Sequence, residues 1–324
     1  MHRPTPQRPH VVIVGAGFHK MVQGGRTDGP LVSWRWLLEH VAKQERVPCD
    51  VCMYDSLPLL WEAIVTASVR RHKRRAAHDE EQRLRKRVAA ILKIESAAFR
   101  HAYHRSRWMR DFVQALKVRP THIIDLNFDH LLPEAFGCCS RPQLSVVRNI
   151  KRSGIRVEDA RNMVRRWNRA EGNITVWKPH GWIGTPSSIR LGARDYGLQL
   201  AAYYLGFQRF KQVERSTHAM LEVELGRWRP ASVMSDADTW ITRFMAYETD
   251  MIGVGMISDE WALRWLCAQR DRNGARHSTR PLRWHLCSPV LTIPGVACVG
   301  HGTWGQAWQA VTGGVCDTGD TAHI

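Results

Sequence analysis

The run Val11-Val12-Ile13-Val14 followed by Gly15-Ala16-Gly17 constrains the chain more than any other stretch. Four aliphatic residues in a row require burial on both sides, as in a central strand of a parallel sheet. The glycines that follow allow a tight turn into a helix. Strand, glycine turn and helix together form the cradle of a dinucleotide pyrophosphate. A single Gly-x-Gly turn is common in α/β proteins, so it leaves open whether a nucleotide is bound at all. It does argue against a hydride-transfer enzyme, because the third glycine of that fingerprint is replaced by Lys20.

Downstream segments fit the same architecture. "SWRWLLEHVAK" places Trp34, Leu37, Leu38 and Val41 at helical spacing. From about Leu57 to Leu116 the pattern is helical, with an apolar stripe of Leu84, Val88, Ile91, Leu92 and Phe99. The charge run Arg70 to Arg87 inside it reads as a solvated face laced by acid–base pairs, or as an anion-facing edge. Strand-like stretches then recur at 121–129, 173–181, 249–257, 282–287 and 295–300, with a basic helical segment from Val157 to Arg169 between the first two. Strands separated by helices predict an α/β fold, a Rossmann-like parallel sheet. The block at about 57–118 is too long for a simple crossover and is expected to be a helical subdomain inserted into one domain covering 1–324.

Composition narrows the function classes. The hydrophobic fraction of 44% among 324 residues supports a sizeable core. No apolar run approaches the roughly 18 residues of a membrane span. The segment "MHRPTPQRPH" lacks the pattern of a signal peptide, so a cytoplasmic location and no membrane partner are expected. The net charge of +17 favours anionic partners such as nucleic acid, nucleotide or an acidic protein. Eight cysteines are scattered over the chain (49, 52, 138, 139, 267, 287, 298 and 316), a pattern of reduced thiols. Cys49 and Cys52 have ligand-like spacing but no matching second pair, so no metal is expected.

In open α/β sheets ligands lie beyond the carboxyl ends of the strands. Those ends carry Gly15-Ala16-Gly17, then Asn127 and Asp129, then His180-Gly181, then Gly253 and Gly255 before Ser258, Asp259 and Glu260. Each has a plainer reading: turn formers for Asn127 and Asp129, a satisfied strand-end imidazole for His180, a helix start for 258–260. Their order and spacing together resemble sirtuins, and more closely the sirtuin-like NAD hydrolases of bacterial antiphage defence. The residues carrying the resemblance are "GAGF", Asn127-x-Asp129, "KPHG" and "GVGMISDE", with "DYGLQL" from Asp195. The resemblance spans about residues 11–300.

That resemblance implies NAD as substrate, bound between the sheet and the helical insertion. Gly15, Ala16 and Gly17 would lie against the pyrophosphate, beside Phe18 and His19. Asn127 would orient the nicotinamide ribose or a water, Asp129 would hold its loop, and His180 next to Gly181 would be the base. Gly255 and Ser258 would line the adenosine end. The chain departs from the family at His19, where Ser is usual, at Asp125-Leu126 and at Gly255. The missing cysteine quartet argues against a deacylase, which needs a zinc ribbon. The expected function is NAD hydrolysis to nicotinamide and ADP-ribose by an abortive-infection effector. Its expected partners are further copies of the chain or a separately encoded ATPase or Argonaute-like protein. The alternative is a catalytically silent nucleotide-binding or nucleic-acid-associated module.

Overall fold

The computed structural model describes residues 9–23, 29–47, 54–72, 76–144, 157–170, 172–221, 239–255, 260–277, 282–286, 297–301 and 304–312. Strand β1 (His10–Val14) leads into helix α1 (Ala16–Val22). Four helices follow: α2 (Trp34–Gln44), α3 (Leu57–Arg71), α4 (Ala77–Arg105) and α5 (Arg107–Lys117). The chain continues through β2 (Thr121–Asp125), α6 (Leu131–Ala135), β3 (Gln143–Leu144), α7 (Val157–Val164), β4 (Arg165–Asn168) and β5 (Ile174–Trp177). Then come α8 (Ala193–Leu221), α9 (Trp240–Ala246), β6 (Glu248–Ile252), α10 (Trp261–His277), β7 (Leu282–Leu286), β8 (Ala297–Gly300) and α11 (Trp304–Thr312). No helix among these residues is long and apolar enough to cross a membrane.

The eight strands form one sheet in the order β3-β4-β5-β2-β1-β6-β7-β8. Six of them run parallel, as the buried aliphatic runs require. The sheet is mixed rather than wholly parallel, because β3 and β4 pair antiparallel at one edge. The basic segment read as helical to Arg169 is helical only to Val164. Arg165 to Asn168 then alternate buried and half-buried, as an edge strand does.

Alternation along the strands separates two cores. Val12, Val14, Ile123 and Val176 face one side and pack with Leu38, Trp61, Leu84, Val88 and Phe112 of α2 to α5. The helices of 57–117 thus share a core with the sheet. Val11, Ile13, Ile124 and Trp177 face the other side, against Tyr203, Trp240, Phe244 and Leu266 of α8, α9 and α10.

From β1 the chain builds outward to β2 and β5 on one side, then returns to β6 on the other. The β1–β6 boundary is therefore the switch point of the sheet, where crossovers leave in opposite directions and a crevice opens.

Candidate functional site

The glycine turn after β1 is shaped by close backbone contact across this switch point. Gly15 N–H donates to the Ile252 carbonyl at 3.1 Å, and Gly17 N–H donates to Gly253 O at 2.9 Å. A Cβ on Gly15 would collide with the Gly253 carbonyl, and one on Gly253 (φ +63°) would collide with Phe18 N. These glycines let two loops touch, and two amides expected at a pyrophosphate are bonded within the chain. Ala16 and Gly17 remain half-exposed. Phe18, expected beside the nucleotide, is fully buried with its ring 4.9 Å from that of Phe112 on α5.

His19 is likewise turned inward. Its Nε2 lies 2.8 Å from Asp129 Oδ2, and neither residue is appreciably exposed. The other Asp129 oxygen accepts from Leu131 N–H at 2.9 Å. Burial alone would raise the Asp129 pKa, but His19 and the Leu131 amide outweigh it and hold the carboxyl well below the usual range. His19 therefore ties α1 to the loop after β2, which is a different task from binding phosphate.

Asn127 is held by a buried ion pair. Asp125 Oδ1 accepts from the Asn127 backbone N–H and from its side-chain Nδ2, each at 3.0 Å. Asp125 Oδ2 accepts from Lys178 Nζ at 2.5 Å, and the same ammonium donates to Asn127 O at 2.8 Å. Both charged residues are wholly buried. Burial pushes the Asp125 carboxyl up, with Lys178 opposing. The amide of Asn127 is left with its Oδ1 as the open acceptor.

His180, two residues beyond Lys178, is 1% exposed. Its ring meets Trp34 at 5.7 Å and Tyr196 at 5.9 Å, both edge-on. Its Nε2 lies 3.5 Å from Glu260 Oε2, and its Nδ1 is buried without a hydrogen bond. Burial, then the charge of Arg190, pulls the imidazole pKa down to about 3, so it is neutral at pH 7. Gly181 follows in a left-handed conformation (φ +92°), where a Cβ would strike the Ser188 carbonyl. Ile183 N–H donates to Phe128 O at 2.9 Å, joining the two loops.

The loop beyond Gly181 is anchored by charge. Asp195 Oδ2 accepts from Leu191 N–H, Gly192 N–H and Arg85 Nη2 at 3.0, 3.1 and 2.6 Å. Arg85 also donates to Ile189 O, and Arg190 Nη2 lies 2.7 Å from Asp159 Oδ1. Arg85 is 1% exposed, so the charge run read as solvated sends one side chain into the interior. Others in the run are paired nearer the surface, as Arg83 is with Glu45 and Glu80.

The structure thus gathers Asn127, Asp129 and His180 with the glycine turn around adjoining strand ends. Gly255 is exposed at the end of the loop after β6, while Ser258 and Asp259 lie outside the described residues. So do Cys49, Cys52, Cys287 and Cys316. Among the described residues no three His, Cys, Asp or Glu side chains form a metal-binding group. Sequence reading missed Lys178, Arg85, Arg190 and the pairing of Glu260 with His180. The placement of Lys178 and His180 two apart in "KPHG" was the one local cue.

The family model described as SIR2-like domain matches residues 121–224. The match runs from β2 into the segment after α8 and takes in Asn127, Asp129, Lys178, His180 and Asp195. No curated protein matches the chain. Residues 121–224 thus match a sirtuin-like domain, set in an α/β, Rossmann-like fold.

Proposed function

We propose, with that SIR2-like domain as premise, that the chain hydrolyses NAD to nicotinamide and ADP-ribose. Members of the family commonly act on NAD. The observation that carries the reading is the pairing, at adjacent strand ends, of a neutral buried imidazole with an amide locked by a buried ion pair. His180 Nδ1 is buried without a hydrogen bond, and the Asn127 side chain donates to Asp125 through Nδ2, which leaves its Oδ1 to accept from a ligand. Both suit the ribose hydroxyls of NAD or an attacking water.

In this reading Asn127 holds water in line with the ribose C1′. His180 takes the proton as the water oxygen bonds to C1′. The pair of electrons from the breaking C–N bond returns to the pyridinium, which leaves as neutral nicotinamide. Glu260, 3.5 Å behind the ring, then stabilises the imidazolium. General-base assistance of this kind contributes typically ~10²–10⁴ in rate. Asp129 and His19 keep the loop in place.

In this reading the low exposures of His180, Asn127 and Asp129 (1%, 4% and 2%) fit a site that opens for NAD only when groups over it move. A site closed at rest suits a toxic activity that is released by an oligomer or a separately encoded partner, as in defence effectors of this type. A cytoplasmic enzyme of one sirtuin-like domain, with its helical insertion covering the site, completes the proposal. The test is NAD loss and nicotinamide release by the purified chain, alone and with co-expressed neighbours. His180→Gln and Asn127→Ala should each lower turnover at least a hundredfold while melting stays within a few degrees. Intact NAD under every condition would replace hydrolysis by the silent nucleotide-binding reading.

A further inference from the structure

A cavity of about 590 Å³ opens on the sheet face opposite α2 to α5, over the edge of the sheet formed by β2, β5 and β4. It is lined by His122 on β2, Arg166 and Asn168 on β4, Arg169 just after it, Thr175 on β5 and Arg243 on α9. Trp177, the last residue of β5, also lines it, while Asn127, Asp129 and His180 do not. Its volume falls within the roughly 300–1,000 Å³ of small-molecule sites.

The described lining contains three arginines and no carboxylate. Two of the guanidinium groups rest on aromatic rings: Arg166 lies 5.6 Å from the centre of the Trp177 ring and Arg243 5.9 Å from that of Tyr247. Arg243 Nη1 also donates to Tyr247 Oη at 3.3 Å. Such packing fixes the forks in advance, so little side-chain entropy is lost when an anion is gripped. His122 stacks on Tyr247 at 6.0 Å, and burial with the charges of Arg243 and Arg166 keeps its imidazole neutral. Its Nδ1 is buried without a hydrogen bond. Asn168 and Gln143, joined at 2.7 Å, add amide donors and acceptors at one wall.

We propose that this cavity is a second ligand site, for a nucleoside phosphate, with Arg166, Arg169 and Arg243 holding the phosphate and the amide wall facing the nucleoside. Bare phosphate would fill only a small part of the space. The inference is independent of NAD hydrolysis at the strand ends.

Equilibrium dialysis of the full chain with radiolabelled ADP tests it. Saturable binding is expected, weakened at least tenfold by Arg166→Gln and by Arg243→Gln, weakened by salt, and unchanged by Asn127→Ala. Arg169→Gln, in the turn after β4, serves if either of the packed arginines proves necessary for folding. Absence of saturable binding overturns the proposal, as does loss of binding in Asn127→Ala with no effect of the arginine variants. Competition by inorganic phosphate as effective as that by unlabelled ADP overturns the nucleoside assignment. Displacement of ADP by oligodeoxythymidylate at lower concentrations than by unlabelled ADP would hand the cavity to single-stranded nucleic acid.

Discussion

The ammonium of Lys178 reaches no water; its contacts are Asp125 and the carbonyl of Asn127. Removing one partner of such a pair leaves a buried charge uncompensated, at a cost of about 3–5 kcal/mol. Lys178→Met is therefore expected to lower unfolding free energy by that amount in urea titrations, and to release Asn127 from its fixed orientation. Because Asp125 already has a raised pKa, Asp125→Asn placed on top of Lys178→Met should recover part of the loss. None of this could be read along the chain. Asp125 and Lys178 are 53 residues apart, and each looks like an ordinary strand-end polar residue until the sheet brings β2 beside β5. His180 and Asn127 were legible because their residue types and order match a family pattern; the groups that position them follow only from register.

At the scale of elements, the contact between the α1 turn and the loop after β6 depends on Gly253. Its φ of +63° and its closeness to Phe18 N both exclude a side chain. Gly253→Ala should cost more than about 3 kcal/mol, from backbone strain and displacement of the α1 turn together. Gly255→Ala, with open space around its Cβ and no left-handed φ, should stay within about 0.5 kcal/mol. Chemical denaturation of the two variants side by side checks this. The strands on either side of these loops were readable as apolar runs bounded by turn residues. β4 was not. Its Arg-Arg-Trp-Asn follows α7 with no turn residue between them, and only pairing with β5 gives it a strand's alternation.

Over the whole molecule, buried titratable groups set the acid limit of stability. Burial pulls the pKa values of His180 and His122 to about 3 and that of His130 to about 4. The unfolded chain protonates these histidines near 6.5, so below that pH it binds more protons than the folded chain. Stability is then fully present above about pH 6.5 and falls as pH drops toward 4. Asp129 and Asp250, both held below the usual carboxylate range, extend the loss to lower pH, while Asp125 opposes it. Melting temperatures from pH 8 to 4 should show a plateau and then a decline starting near 6.5. The rate of NAD loss, by contrast, should show no His180 limb between pH 6 and 8.

The charges around Asp195 bear on how this sequence changes over time. Arg85 on α4, Asp195 on α8, Arg190 in the loop after Gly181 and Asp159 on α7 form a buried cluster of alternating charge, with Glu81 joining Arg85 at its outer side. A lone substitution at any of the four removes a buried countercharge. Acceptable variation must therefore arrive in pairs, so positions 85 and 195 should covary among relatives of this chain although they lie 110 positions apart.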